Sequence, residues 1–294
     1  MVSPCERAIR IAMTNARNAS SIPAAEIAFI GGGNMARSLI GGLIARGAAP
    51  SAIRVCEPNE DLRTAMARDF SVAVFADNAE AVRDAGLIVF AVKPQVMKPV
   101  CEALATVFPA NALALSIAAG ITTAQMDRWL GGERAIVRSM PNTPALLGAG
   151  ATGLFANARV DAKQRELAQA VLGAVGVTAW IDSETLMDTV TAVSGSGPAY
   201  FFLLAEALQA AAVAQGLSEE AARALVVQTC AGAGRMLAES GEDAATLRQR
   251  VTSPGGTTQA ALESFTASGF ADIVAKAVAA ATTRGTELSA KAGN

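Results

Sequence analysis

Three features of the sequence predict an α/β fold in two parts, an N-terminal Rossmann-type dinucleotide-binding domain followed by an all-helical C-terminal domain. Short apolar runs alternate with helical segments from Glu26 to about Asp182, a glycine turn (Gly31, Gly32, Gly33) follows the first run, and beyond Ser183 the strand signal stops. Short apolar strands separated by helices imply a parallel sheet covered on both faces, because parallel neighbours are joined by crossovers that lay helices on the sheet. At roughly 100–200 residues per domain, 294 residues are enough for two cores. The boundaries read as an N-terminal extension over 1–24, the dinucleotide-binding domain over 25–182 and an all-helical domain over 183–294.

In order, the strand-like runs are Ile27–Ile30, Ile53–Cys56, a short one at Val72–Val74, Leu87–Val92 and Ala112–Ile117. Ala135–Arg138, Thr152–Phe155 and Val177–Ile181 read as extensions of the same parallel sheet. The helices of the second half read as Glu184–Val193, Pro198–Gln215, Ser218–Glu239, Asp243–Arg250, Thr257–Ser268 and Ala271–Leu288. Ser218 followed by Glu219 and Glu220 is a good helix start, since the hydroxyl caps free amides and acids suit the positive end of the dipole. Gly216, Gly241 and Gly269 stand where helices end. Residues 1–24, with Arg7, Arg10 and Arg17 against the single acid Glu6, lack the apolar core of a secretory signal. They read as a loose extension before the first strand, with a mitochondrial-type leader as the alternative.

Composition removes several kinds of chemistry. Hydrophobic residues make up 52% of the chain and charged residues 17%, which fits a buried-core globular protein. With 24 basic against 26 acidic residues the net charge is −2, so neither nucleic acid nor an anionic membrane is expected as a partner. Histidine is absent, which excludes a Ser-His-Asp triad and every His-liganded metal site. Cys5, Cys56, Cys101 and Cys230 form no C-x-x-C pair, so no metal site is expected and the thiols read as reduced in a cytoplasmic protein. Tyr200, the only tyrosine, is followed four residues later by Leu204 instead of the lysine of a short-chain dehydrogenase. The most apolar region, Tyr200–Leu217, carries Glu206, Gln209 and Gln215, and reads as a soluble helix instead of an uninterrupted membrane span.

Chemistry concentrates in a few loops. Gly31, Gly33 and Ala36 form G-x-G-x-x-A between a strand and a helix: the first permits the tight turn, the second lets backbone approach a pyrophosphate, and the alanine brings helix and strand close. Glu57, at the tip of the second strand, suits a ribose hydroxyl and repels a 2′-phosphate, while Arg54 and Arg63 are near enough in sequence to offer a phosphate a partner instead. Ala91, Val92, Lys93 and Pro94 follow the fourth apolar run, at a strand end that faces the cofactor crevice. The segment Arg138–Ala145 reads as a proline-stiffened loop with Asn142 and Thr143 at its tip, placed in the interdomain cleft. In the loop Val251–Thr258, free amides of Gly255, Gly256 and Thr257 before a helix make a pocket for a carboxylate.

The segments FIGGGNMA at Phe29–Ala36, AVKPQ at Ala91–Gln95, SIAAG at Ser116–Gly120, MPNTPA at Met140–Ala145, SGSGPAY at Ser194–Tyr200 and VTSPGGTT at Val251–Thr258 resemble, in order and spacing, the pyrroline-5-carboxylate reductase family. The resemblance spans essentially residues 26–290. It implies hydride transfer from NADPH or NADH to the C5 imine carbon of 1-pyrroline-5-carboxylate, the last step of proline biosynthesis. By matched position it implies that Thr258 hydrogen-bonds the ring nitrogen, and that Ser253 with the amides of Gly256 and Thr257 holds the carboxylate. Gly31, Gly33, Asn34 and Met35 would take the pyrophosphate, Glu57 and Asn78 the adenosine side, and Val92, Lys93, Pro94 and Ala119 the nicotinamide riboside. Glu184 matches a further cofactor-side position. Homodimers interlocked through the helical domain, sometimes built into larger rings, are also implied. Glu57 departs from the small hydroxyl residue that NADPH-preferring members often carry there, so the choice between NADPH and NADH stays open.

Two other readings remain. A β-hydroxyacid-dehydrogenase-like oxidoreductase would use a lysine on the interdomain helix, yet Pro198–Gln215 contains none. A non-catalytic dinucleotide-binding protein would keep the glycine turn without needing the Ser253–Thr258 loop.

Overall fold

A computed structural model of the chain describes residues 25–292, so the expectations for residues 1–24, Cys5 included, lie outside the described residues. Contacts divide the chain into two compact units, one running to Gly195 and taking in residues from Ala281 onward, the other Ser196–Ala280. The first unit therefore extends past Asp182, where the strand signal ends, and includes the last turns of the C-terminal helix.

In the first unit the chain alternates β1 (Ile27–Ile30), α1 (Asn34–Ala45), β2 (Ile53–Cys56), α2 (Glu60–Phe70), β3 (Ala73–Phe75), α3 (Asn78–Val82), β4 (Leu87–Phe90), α4 (Pro94–Leu104), β5 (Leu113–Ser116), α5 (Thr123–Trp129) and β6 (Ala135–Met140). A 3-10 turn (Thr143–Leu147) leads to β7 (Gly150–Ala156), then α6 (Ala162–Gly173) and β8 (Gly176–Trp180). The eight strands lie in the order β3-β2-β1-β4-β5-β6-β7-β8. Because side chains alternate along a strand, β1 sends Ile27 and Phe29 into one apolar cluster with Leu39, Leu43 and Val171, and Ala28 and Ile30 into a second with Met97, Cys101 and Trp129. Burial on both faces explains why β1 and β4 are continuous apolar runs.

The expectation of an all-parallel extension needs correction at one place. β7 pairs antiparallel with β6, whereas β7 and β8 are parallel to each other. Only a short 3-10 turn joins β6 to β7, and a parallel return needs a crossover of a dozen or more residues, which α6 then supplies between β7 and β8. The single helix expected over Glu184–Val193 is three pieces, a 3-10 turn (Glu184–Leu186), α7 (Met187–Val190) and a π-helical stretch (Thr191–Gly195).

The second unit holds α8 (Gly197–Ala214), α9 (Glu219–Glu239), α10 (Ala244–Arg250), α11 (Thr257–Ala267) and the start of α12 (Phe270–Ala292). Ser218 caps α9 through the amide of Ala221, and Asp243 caps α10 through that of Thr246. Few of its apolar side chains are buried: Phe201 and Phe202 are each 67% exposed and Leu203 66%. The helical run Glu184–Ala214 is long and apolar enough, by length and composition alone, to cross a membrane, and few residues of its most apolar stretch are buried.

Candidate active site

The order β3-β2-β1-β4-β5 reverses direction between β1 and β4, and at such a switch point the carboxyl ends of neighbouring strands open a crevice. Gly31 leaves β1 with φ +101°, and its N–H donates to the Cys56 carbonyl at 2.8 Å. A Cβ at Gly31 would lie 2.7 Å from the carbonyl oxygen of Ala91 and 3.1 Å from Val92, so the turn after β1 and the end of β4 touch here through backbone that only glycine permits. Gly33 differs. It is the N-cap of α1 in ordinary extended geometry, and a Cβ there would meet nothing within 4 Å. No side chain caps α1 and its first turn holds no acid, which leaves the amides at its positive end open to an anion. Asn34 is exposed and Met35 half-buried on that turn.

Glu57 is 9% exposed at the end of β2. Its Oε2 accepts from the Gly32 amide at 2.9 Å and Oε1 from the Asn59 amide at 3.0 Å, so the carboxylate is held beside the glycine turn. Arg63 donates to the carbonyls of Glu57 and Pro58, at 2.8 and 3.0 Å. Arg54 is drawn to Glu26, 3.8 Å away, and to the Arg83 carbonyl. Both cations considered for a 2′-phosphate thus have partners within the chain. Asn78 sits half-buried in the first turn of α3, after the Asp77 cap.

Past β4, Ala91 donates its N–H to the Ile30 carbonyl at 2.8 Å; Lys93 is the exposed N-cap of α4, and Pro94 occupies its first turn, where a missing N–H costs nothing. Pro94 and Ala119 share a cavity of about 540 Å³ with Lys98, Trp129, Asp188 and Leu288. The two outer segments assigned to the nicotinamide side are therefore brought to one wall.

Glu184 is engaged by protein on both oxygens. Oε1 accepts from the Thr123 amide at 2.7 Å and Oε2 from its hydroxyl at 2.8 Å, at the start of α5. Asn142 bridges the Ser194 carbonyl (3.0 Å) and the Ala151 amide (2.9 Å) and is 9% exposed, so it fastens the β6–β7 connection to the π-helical stretch, and Arg138 to Met140 belong to β6 instead of a loop. Arg138 itself, buried between Glu184 and Asp188, was not singled out from sequence; a lone arginine in an apolar strand was the available signal.

Ser253, Gly255, Gly256, Thr257 and Thr258 lie together in the helical unit, at the start of α11. The Gly255 amide donates to Gln259 Oε1 at 2.8 Å and the Gly256 amide to the Ser253 carbonyl at 3.0 Å. Of the three amides expected to be free, those two are engaged. No side chain caps α11, so the first-turn amides of Thr257 and Thr258 have no partner within the helix, and the Thr258 side chain is half-buried beside them.

Among the described residues no group of His, Cys, Asp or Glu could hold a metal ion. Burial pushes the thiols of Cys56 and Cys101 up to about 11 and about 12, aided by Asp77 and Glu57 beside the first and Glu102 beside the second.

Comparison with known proteins matches two stretches of the chain. Residues 184–288 match the family model for pyrroline-5-carboxylate reductase dimerisation, and residues 26–120 that for the NADP oxidoreductases described as coenzyme F420-dependent. The chain is 52% identical over 267 residues to the pyrroline-5-carboxylate reductase of Pseudomonas aeruginosa, covering 91% of this chain and 98% of that one. It is 45% identical to that of Haemophilus influenzae, over 89% and 97% of the two chains. Among solved structures, the pyrroline-5-carboxylate reductase of Coxiella burnetii superposes with a TM-score of 0.87 at 44% identity, over 90% and 98% of the chains. The Plasmodium falciparum pyrroline carboxylate reductase with NADP bound gives 0.78 at 29%, over 91% and 99%.

Proposed function

The chain belongs to the pyrroline-5-carboxylate reductase family, and from that membership and the site's chemistry we propose that it reduces 1-pyrroline-5-carboxylate to L-proline. The observation that carries this is the reach of the likeness: one matched segment contains the glycine turn and the strand ends around it, the other the Ser253–Thr258 loop. NADPH or NADH supplies a hydride to C5 of the imine.

The chain's own residues bind and orient. Gly33, where a side chain would meet only open space, suits close approach of a pyrophosphate, with Gly31, Asn34, Met35 and the uncapped end of α1 around it. Glu57 and Asn78 serve the adenosine ribose, and Ala91, Val92, Lys93, Pro94 and Ala119 the nicotinamide riboside; Glu184 supports that side. In the helical domain Ser253 and the uncapped amides at Thr257 and Thr258, in the turn that Gly255 and Gly256 shape, hold the substrate carboxylate, and the Thr258 hydroxyl holds the ring nitrogen. A protonated cyclic imine is already electrophilic, so orientation and exclusion of water supply most of the acceleration and no imidazole is needed. The enzyme works in the cytoplasm as a homodimer or higher oligomer.

The direct test is NADPH and NADH fluorescence with and without added 1-pyrroline-5-carboxylate. The reading expects the signal to fall only when the imine is present and proline to accumulate in step. A signal indifferent to the imine contradicts it.

A further inference from the structure

Arg138, on β6, is 4% exposed, and a cation so deeply buried persists only when its charge is matched. Nη1 lies 3.6 Å from Glu184 Oε1 and Nη2 3.1 Å from Asp188 Oδ1. Each acid holds a second group. Glu184 binds both the amide and the hydroxyl of Thr123, and Asp188 accepts from the hydroxyls of Ser289 at 3.3 Å and Thr286 at 3.1 Å. Ser289 leads back to the start of α5: a Cβ on Gly120 would lie 3.5 Å from its nitrogen and its Oγ, and its carbonyl accepts from Gln125 Nε2 at 3.4 Å. The segment from Gly120 to Thr123 is thus hydrogen-bonded to Glu184 at Thr123 and lies beside Ser289 at Gly120, both of them tied to groups that converge on one guanidinium, and Ala119 directly precedes it.

We propose that Arg138 is a positioning residue for the nicotinamide end of the cofactor site, acting through Glu184 and Asp188 on the Ala119–Thr123 segment. This rests on reading Ala119 as part of the nicotinamide wall. Arginine suits the task because its planar fork reaches two carboxylates at once, which a lysine ammonium on a flexible stem does not. Displacing the wall by as little as an ångström misplaces the hydride donor without touching the pyrophosphate cradle at Gly33.

Two variants separate this role from general support of the fold. Arg138→Lys keeps the charge but loses the fork, and Thr123→Val removes only the hydroxyl that Glu184 holds. Each is titrated with NADH and with ADP-ribose, which is the same ligand without the nicotinamide, and in parallel with NADPH and 2′-phospho-ADP-ribose. Binding of the intact cofactors should weaken about tenfold in Arg138→Lys and about threefold in Thr123→Val, while the nicotinamide-free ligands stay within about twofold of wild type. If Arg138→Lys does not fold, Thr123→Val decides alone. Equal losses for both kinds of ligand, or none, overturn the positioning role. A wild-type protein that binds neither NADH nor NADPH instead overturns the cofactor reading on which it rests.

Discussion

Two glycines of one turn answer to different physics, and substitution separates them. Gly31 is fixed by the fold, because its φ of +101° and a carbonyl 2.7 Å from where a Cβ would sit leave no room for a side chain. Gly31→Ala should destabilise the first unit by roughly 1–3 kcal/mol from backbone strain alone, read as a lower urea midpoint. Gly33 is open to the crevice, so Gly33→Val should unfold like wild type yet lose cofactor binding; near-normal affinity in a folded variant would remove the pyrophosphate from this turn. Glu57 acts on both cofactor choice and loop order. Glu57→Ser should shift the kcat/KM ratio toward NADPH by roughly tenfold, about 1.4 kcal/mol, with some loss of NADH affinity because the Gly32 and Asn59 amides lose their acceptor. An unchanged ratio would show that the carboxylate does not face the ribose. For Thr258, replacement by alanine should cost on the order of 10- to 100-fold in kcat/KM, and replacement by serine little, since a hydrogen bond to a charged group is worth roughly 1.5–3 kcal/mol. Equal damage from both would point to packing.

At the scale of elements, legibility followed the range of the forces involved. β1 and β4 are readable because burial on both faces makes each a continuous apolar run, and the G-x-G-x-x-A turn is readable because local backbone geometry demands those residue types. The reversed direction of β7 was not, since it depends on a short connection whose 3-10 turn looks, in sequence, like any proline-bounded loop. Likewise, the amides of Gly255 and Gly256 looked free because their acceptors, Gln259 Oε1 and the Ser253 carbonyl, depend on the turn's conformation. The buried ion pairs of Arg138 are not legible in the sequence because its partners lie 46 and 50 residues along the chain, at Glu184 and Asp188. Burial of β2 and α4 also sets thiol chemistry. Cys56 and Cys101 should resist alkylation in the native protein at neutral pH and gain reactivity only as pH approaches about 11 and about 12, or on unfolding, as peptide mass spectrometry would record. Rapid modification of either at pH 7 in folded protein would contradict their burial.

For the whole molecule, the unburied apolar face of α8 and the dimerisation match over 184–288 have one explanation: the helical unit completes its core with a second chain. This also accounts for a helical run apolar enough to pass for a membrane span. Phe202→Glu should lower the mass measured by sedimentation toward one chain, whereas the unaltered protein should sediment as at least two. The reductase assignment is tested most directly by following the hydride itself. With NADPH or NADH deuterated at the transferable C4 position and unlabelled 1-pyrroline-5-carboxylate, the proline formed should carry one deuterium, located at C5 by NMR. Proline without deuterium at C5, or cofactor oxidation with no proline, would contradict the assignment.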